Sequence, residues 1–437
     1  MRIAILGGGL TGLTLGYLLK QKGAQFEIIE KEESCGGLMR TLQEQGFTFD
    51  CGGSHVIFSK DRSVLNFMLS ILGENRIRNK RNTKIYYKGA YVKYPFENGL
   101  AGLSKQDNFE CLHDFLQSVI KRALEPTHIP KNFREWCYDT FGKAIAEKYL
   151  IPYNEKIWKF PTDKISTEWV QRLPNPPLED VIKSSIGFDV EGYTHQLFFY
   201  YPRAGGIYAL ISSLTSGMDG NIINDFNVTE IRKEHGAWII SDGNRERSYD
   251  RLVSTIPLPH VVKALHIEGS IADAAKDLKC NSLITVMFGL NVAKLNSFSW
   301  VYIPDEKVAA HRISFPSNYS PHTAPKGKSS ILAEITCNTE DAIWRMKDAE
   351  IVKRVSEELQ EEKMLNTKYI CYSNVKRTRY AYVVYDRNHR KNVNLIRKHL
   401  KNIGIDLVGR FAEFEYLNMD GCIRHAIDFV NNQNYRA

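Results

Sequence analysis

Three glycines, Gly7, Gly9 and Gly12, stand at GxGxxG spacing directly after the apolar run RIAIL, and Glu30 follows about 20 positions on. That spacing allows a tight turn, a close approach of backbone to a pyrophosphate, and close packing of a helix on its strand. The helix N-terminus then faces the phosphates with its free N–H groups. An acidic residue closing a second strand, read here over Phe26–Ile29, accepts hydrogen bonds from ribose hydroxyls. A stray glycine turn explains neither the flanking pattern nor Glu30, so a dinucleotide site is expected.

A second glycine pair, Gly36 and Gly37, comes six residues after Glu30 and leads into LMRT and FTFDCGGSH. A nicotinamide dehydrogenase has no need of another glycine loop at this point. The run resembles the FAD-binding start of the amine oxidase and protoporphyrinogen oxidase superfamily, which implies FAD as the cofactor. Arg40, just past the loop, is placed either to reach the pyrophosphate or flavin or to lie at the surface.

These groups must be held by a sizeable scaffold. A chain of 437 residues exceeds one simple core, so two or three interwoven modules are expected. At 43% hydrophobic and 25% charged residues the composition is that of a soluble globular protein. The net charge of +8 favours anionic ligands, yet no dense basic run is interleaved with aromatics, so nucleic acid is not expected as a partner. Eight cysteines are scattered without CxxC or metal spacing, which points to reduced thiols, no metal and a cytoplasmic protein. There is no signal-peptide pattern, and no apolar run reaches the roughly 18 residues of a transmembrane segment.

Periodicity predicts a helix within 61–72 and a hairpin turning at Lys88 and Gly89. A helical region over 105–185, including STEWVQRL at its end, suits an insertion above the cofactor. Strand-like segments follow: QLFFYYP, NIINDFNVTEIRKE, AWIISDG, and RLVSTIPLP at 251–259 returning to the core sheet. Residues 282–292 and 329–336 read as longer strands, and the chain closes with a strand, a loop and a helix. The expected fold class is α/β. A Rossmann-like FAD-binding domain is drawn from 1–80, 205–280 and 400–437, a helical insertion covers 100–185, and an antiparallel β-sheet substrate domain takes 81–99, 186–204 and 281–399.

Six motifs occur in order: HVIFS at 55–59, YPFEN at 94–98, IPYNEKIW at 151–158, WVYIP at 300–304, HRISFPSNYSPH at 311–322 and GRFAEFEYLNMD at 409–420. Together they resemble the UDP-galactopyranose mutases, most closely the eukaryotic type, over essentially the whole chain. The resemblance implies interconversion of pyranose and furanose forms of a UDP-sugar, with N5 of the reduced flavin as covalent nucleophile and NAD(P)H as reductant. It assigns Arg312 to the diphosphate, where a guanidinium fork pairs phosphate oxygens bidentately. Tyr302, Tyr382 and Tyr416 are implied to line the same site, with Phe96, Asn154 and Trp158 along the substrate cleft; on composition alone Trp158 is more often a core residue. His55 is implied to sit beside the flavin and adjust it without carrying a substrate proton. Gly409, Arg410, Asn418, Met419 and Asp420 are implied to form the C-terminal flavin-contacting loop, and Val228 to touch adenine through its backbone. Arg410 has a structural alternative as an ion-pair partner of Asp50, Glu413 or Glu415.

The pattern is broken in three places. A second diphosphate-contacting arginine of the family is replaced by Tyr200, with Arg203 three residues on as a substitute. The glutamine after YPF is Glu97, and Ser54 is an extra residue between the glycines and His55. A nucleotide-sugar substrate is therefore expected, with the sugar, the nucleotide and the oligomeric state open. A redox enzyme of the amine oxidase or protoporphyrinogen oxidase type, acting on a non-nucleotide substrate, is the alternative.

Overall fold

The computed structural model describes residues 1–168, 170, 175–191 and 197–432. A five-stranded parallel sheet is assembled from three distant parts of the chain, in the order Ile405–Leu407, Arg251–Ser254, Arg2–Leu6, Gln25–Ile29 and Ile222–Ile223. Its central strand is apolar on both faces because both are covered. Ile3 and Ile5 join one core with Leu13 and Ile423 of the first and last helices, while Ala4 and Leu6 join another with Trp238, Leu258 and Ile396. The helix Leu10–Gln21 follows the first strand, and the last helix, Met419–Asn431, packs against it. The parallel sheet and its covering helices are thus built from discontinuous parts of the chain.

The second layer is a seven-stranded sheet ordered Ile370–Val383, Cys280–Leu290, Ser329–Cys337, Arg312–Ser314, Trp300–Tyr302, Thr83–Tyr87 and Ala90–Lys93. All its pairings are antiparallel except that of Trp300–Tyr302 with Thr83–Tyr87. The predicted hairpin turns at Lys88 (φ 48°) and Gly89 (φ 81°) and supplies the last two strands. Ser329–Cys337 is buried along its whole length, because neighbouring strands and helices cover both faces. The strand Phe198–Tyr201 stays out of this sheet: it pairs with Ile77–Lys80, and Phe199 and Tyr201 pack into the cofactor-side core.

The helices Lys105–Leu124, Phe133–Phe141 and Leu178–Ser185 pack together on the Thr83–Tyr87 and Ala90–Lys93 end of the seven-stranded sheet, and Ile151–Trp158 touches its strand Ser329–Cys337. Ser104 caps the first by accepting the Asp107 N–H (3.1 Å), and Asn132 caps the second through Glu135 N–H (2.9 Å). A π-helical turn, Ala146–Leu150, leads into Ile151–Trp158. Of the predicted STEWVQRL helix, residues 169 and 171–173 fall outside the described residues. No helix among the described residues is long and apolar enough to cross a membrane.

Candidate functional site

A cleft of about 720 Å³ runs between the two sheets, from the glycine loops of the parallel sheet to Arg312 on the seven-stranded one. At the glycine end the roles predicted for the motif separate cleanly. Gly7 has φ +101°, and its N–H donates to Ile29 O (2.8 Å). A Cβ on Gly12 would fall 2.0 Å from Gly7 O, so Gly12 lets helix and turn touch and does not line the cleft. A Cβ on Gly9 would meet no atom within 4 Å; it would project into the cleft. The two glycine loops are tied together, since Gly36 N–H donates to Gly8 O (2.8 Å) and Gly37 faces Gly9.

Glu30 is buried and held by the N–H groups of Gly8 (2.7 Å) and Glu32 (3.0 Å), with the carboxylate at the cleft wall. Arg40 also lines the cleft, 3.9 Å from both Glu30 and Glu32, and its buried Nε has no partner. Val228, Asn418 and Met419 line the same space. Two residues of the C-terminal loop do not. Gly409 (φ +90°) makes room for Thr11, whose Oγ1 would lie 2.3 Å from an added Cβ, and Asp420 turns to Ser59 Oγ (2.7 Å).

These features fit FAD: an open cradle at a helix N-terminus, an acidic residue at the second strand's end, and unpaired guanidinium nitrogens along the wall. Arg410 adds a charge that has no carboxylate partner among the described residues. It donates to Leu417 O (2.6 Å) and Ala381 O (2.5 Å), its buried Nε is unpartnered, and its guanidinium lies 4.6 Å from the Tyr416 ring centroid. The ion pairs with Asp50, Glu413 or Glu415 allowed by the sequence are not formed. Asp50 is instead held by Tyr201, Ile207 and Thr41, Glu413 by His425, and Glu415 by Arg390 and Tyr385.

His55 lines the middle of the cleft with Nδ1 2.8 Å from Gly53 O. A carbonyl only accepts, so Nδ1 carries the proton and Nε2 is left as an acceptor. Burial, reinforced by the charges of Arg312 and Arg410, lowers the pKa to about 4, so the ring is neutral near pH 7. His311, 1% exposed and with no partner for either ring nitrogen among the described residues, is shifted the same way by burial and by Arg312 and Lys156.

Both histidines bind protons more readily once unfolded, so their contribution to stability is complete above the unfolded pKa of 6.5 and falls as pH drops below it, that of His55 until about pH 4. Denaturant unfolding should therefore show stability declining from neutral pH to about pH 5, and His55→Asn with His311→Asn should flatten that decline. An unchanged slope in the double variant would contradict the assignment.

The far end of the cleft is aromatic and cationic. Tyr302 and Tyr382 flank Arg312, and Tyr416 lies against Tyr382 (5.9 Å between ring centroids). Burial pushes the Tyr382 hydroxyl well above its usual range, which keeps it a protonated donor. Arg312 meets Glu334 through Nε (2.8 Å) and Nη2 (2.6 Å), and Glu334 is wholly buried. The guanidinium's side-on fork is therefore engaged by protein, and Nη1, on its end-on edge, has no hydrogen-bond partner among the described residues.

Asn154, Trp158 and Phe96 lie off the cleft. Trp158 donates to Asn154 Oδ1 (2.9 Å) and packs edge-on against Tyr416 and Tyr382, at 5.4 and 6.0 Å, forming a layer behind them. Phe96 is fully buried, stacked on Tyr149 at 5.2 Å. Of the departures, Arg203 is exposed and outside the cleft, Tyr200 packs by the cofactor-side core, and Glu97 is buried away from the lining.

Sequence reasoning missed Arg81 and Tyr94, which line the cleft beside Tyr302, with the Arg81 guanidinium 5.1 Å from the Tyr94 ring and Tyr94 5.1 Å from Tyr302. It also missed Glu334. The signal for Glu334 was a lone carboxylate in the otherwise uncharged strand SSILAEITC, the mark of a buried ion pair. Arg81 gave none, sitting in the basic stretch RIRNKRNTK.

Residues 5–70 match the NAD(P)-binding Rossmann-like domain family. The chain is 31% identical over 75 residues to an inactive all-trans-retinol 13,14-reductase of Danio rerio, covering 17% of this chain and 12% of that protein. It is 40% identical over 168 residues to a 4,4'-diapophytoene desaturase of Staphylococcus aureus, covering 37% of this chain and 30% of the desaturase. The matched stretches thus span less than a third of these relatives' length. Among solved structures, a reduced UDP-galactopyranose mutase superposes with TM-score 0.89 over 99% of this chain and 95% of its own, at 24% identity. A putrescine oxidase double mutant gives 0.70 over 99% of each, at 14% identity. The fold is that of the FAD-dependent oxidoreductases and mutases. Within that class the chain resembles UDP-galactopyranose mutase along its full length.

Proposed function

We propose that the protein is an FAD-dependent nucleotide-sugar mutase that interconverts pyranose and furanose forms of a UDP-sugar, galactose or a close relative. The observation that carries this reading is the junction of two chemistries in one cleft. A cradle suited to FAD opens onto an arginine set among Tyr302, Tyr382 and Tyr416. Arginine and protonated phenols suit a diphosphate, and tyrosine rings cover a sugar and a base.

Gly9, Gly37, Glu30, Arg40, Val228, Asn418 and Met419 would hold the cofactor. Reduced FAD supplies the nucleophilic nitrogen, N5, that this isomerisation requires, with NAD(P)H as the proposed reductant. Arg410, a cation with no carboxylate partner among the described residues, favours the anionic reduced ring. His55, neutral and accepting at Nε2, orients a bound N–H or O–H without delivering a proton. Arg312 and the tyrosine hydroxyls stabilise the diphosphate as it leaves the anomeric carbon and returns.

Dithionite-reduced protein given UDP-galactofuranose should form UDP-galactopyranose, separable by chromatography. Lack of conversion of UDP-, GDP- and dTDP-sugars, with no sugar trapped on the flavin by borohydride, would overturn the reading. The second reading, a flavin oxidoreductase, is favoured by the 40% identity to the desaturase segment. It predicts substrate-dependent oxygen consumption or flavin bleaching without any nucleotide sugar, and under it Arg312 serves only to neutralise the buried Glu334.

A further inference from the structure

Arg312 does not reach the cleft as an uncompensated cation. Its Nε and Nη2 are held by both oxygens of Glu334, which stands directly opposite it in the sheet register. The inserted Ser54 completes the arrangement, its N–H donating to Glu334 Oε1 (3.1 Å) and its carbonyl accepting from Arg312 Nη2 (3.4 Å). Gly53 is required beside them, because a Cβ there would fall 2.6 Å from Glu334 Oε2. Nη1 has no hydrogen-bond partner among the described residues, so only the end-on edge of the guanidinium faces a ligand, and part of that edge is shared with Ser54.

Resting on the nucleotide-sugar reading, we infer that Glu334 is a positioning residue that limits the grip of Arg312 on the diphosphate. An arriving dianion meets a neutral pair and not a free charge, so attraction is weakened in the ground state. A diphosphate that must leave the anomeric carbon and return gains nothing from being bound tightly throughout, since uniform binding lowers KM without raising kcat. The same carboxylate fixes the loop carrying His55, so the anion site and the cofactor-side loop share one anchor.

The test is a double-mutant cycle on the flavin-loaded, reduced protein, with UDP as probe and uridine as the uncharged control. Glu334→Gln should tighten UDP binding about tenfold, leave uridine unchanged, and lower KM for the nucleotide sugar with no gain in kcat. Arg312→Gln with Glu334→Gln, which leaves no buried unpaired charge, should bind UDP within about tenfold of wild type, because the two removed charges had cancelled. A role in folding alone would weaken UDP and uridine together. Unchanged or weaker UDP binding by a flavin-retaining Glu334→Gln protein overturns the inference and leaves the nucleotide-sugar reading standing. If Glu334→Gln loses its flavin the double variant decides, and a larger loss there overturns the inference. Absence of UDP binding by the wild type overturns both.

Discussion

Arg312→Ala is expected to lower nucleotide-sugar turnover by about a hundredfold or more and to destabilise the fold by about 3 kcal/mol. The first effect follows from removing the arginine that faces the departing diphosphate, where preorganised charge counts most. The second comes from Glu334. Its side chain is 0% exposed, and without the guanidinium it would be left as an uncompensated buried carboxylate with only the Ser54 N–H. Such a group escapes by taking up a proton, so its folded pKa should rise above the unfolded value. The stability deficit should then be largest at alkaline pH and shrink as the solution is acidified through that raised pKa. Denaturant unfolding of Arg312→Ala at several pH values would show this, and adding Glu334→Gln should restore stability without restoring turnover. A deficit independent of pH, or turnover recovered in the double variant, would contradict the two roles given to the pair.

The sequence was most legible where function is local. Gly7 to Gly12, Glu30 and Gly36–Gly37 lie on consecutive loops of one βαβ unit, and their spacing alone carries the geometry. The return strand Arg251–Ser254 was readable because a central parallel strand is apolar on both faces. The edge strand Ile370–Val383 was not, since its run of Lys376, Arg377 and Arg379 hides the alternation. Nor was the helix His389–Ile403, whose buried Val393, Ile396 and Leu400 are diluted by a basic outer face. In the candidate site, Tyr302, Tyr382 and Arg312 arrived through motifs and meet at one end of the cleft. Phe96, Asn154 and Trp158 came through motifs too, yet they stand behind the lining; a motif records which residues co-occur, not the layer they occupy. Glu334 lies on a neighbouring strand from Arg312, 22 residues away in sequence, and only the sheet register brings them together.

Gly9 and Gly12 should respond to substitution in opposite ways, although both belong to one motif. Gly9 has φ −79° and ψ −177°, an extended conformation open to any residue, and a Cβ there meets nothing in the protein. Gly9→Val should leave the flavin-free fold within about 1 kcal/mol of wild type, the small cost being a poorer helix N-cap. Its side chain would nevertheless fill the space between helix N-terminus and pyrophosphate, so the purified protein should carry little or no flavin. Gly12→Ala puts a methyl 2.0 Å from Gly7 O, and helix and turn must part to accept it. That strain should cost about 3 kcal/mol even without cofactor, with flavin lost as a consequence of the displaced turn. The visible flavin absorbance per protein, set beside denaturant unfolding of the flavin-free forms, separates the cases. Full flavin occupancy in Gly9→Val would mean that no pyrophosphate lies at this helix, and the cradle would then need another occupant. Loss of flavin in Gly9→Val at unchanged stability would instead assign the space above Gly9 to the cofactor, because a side chain there touches no protein atom within 4 Å.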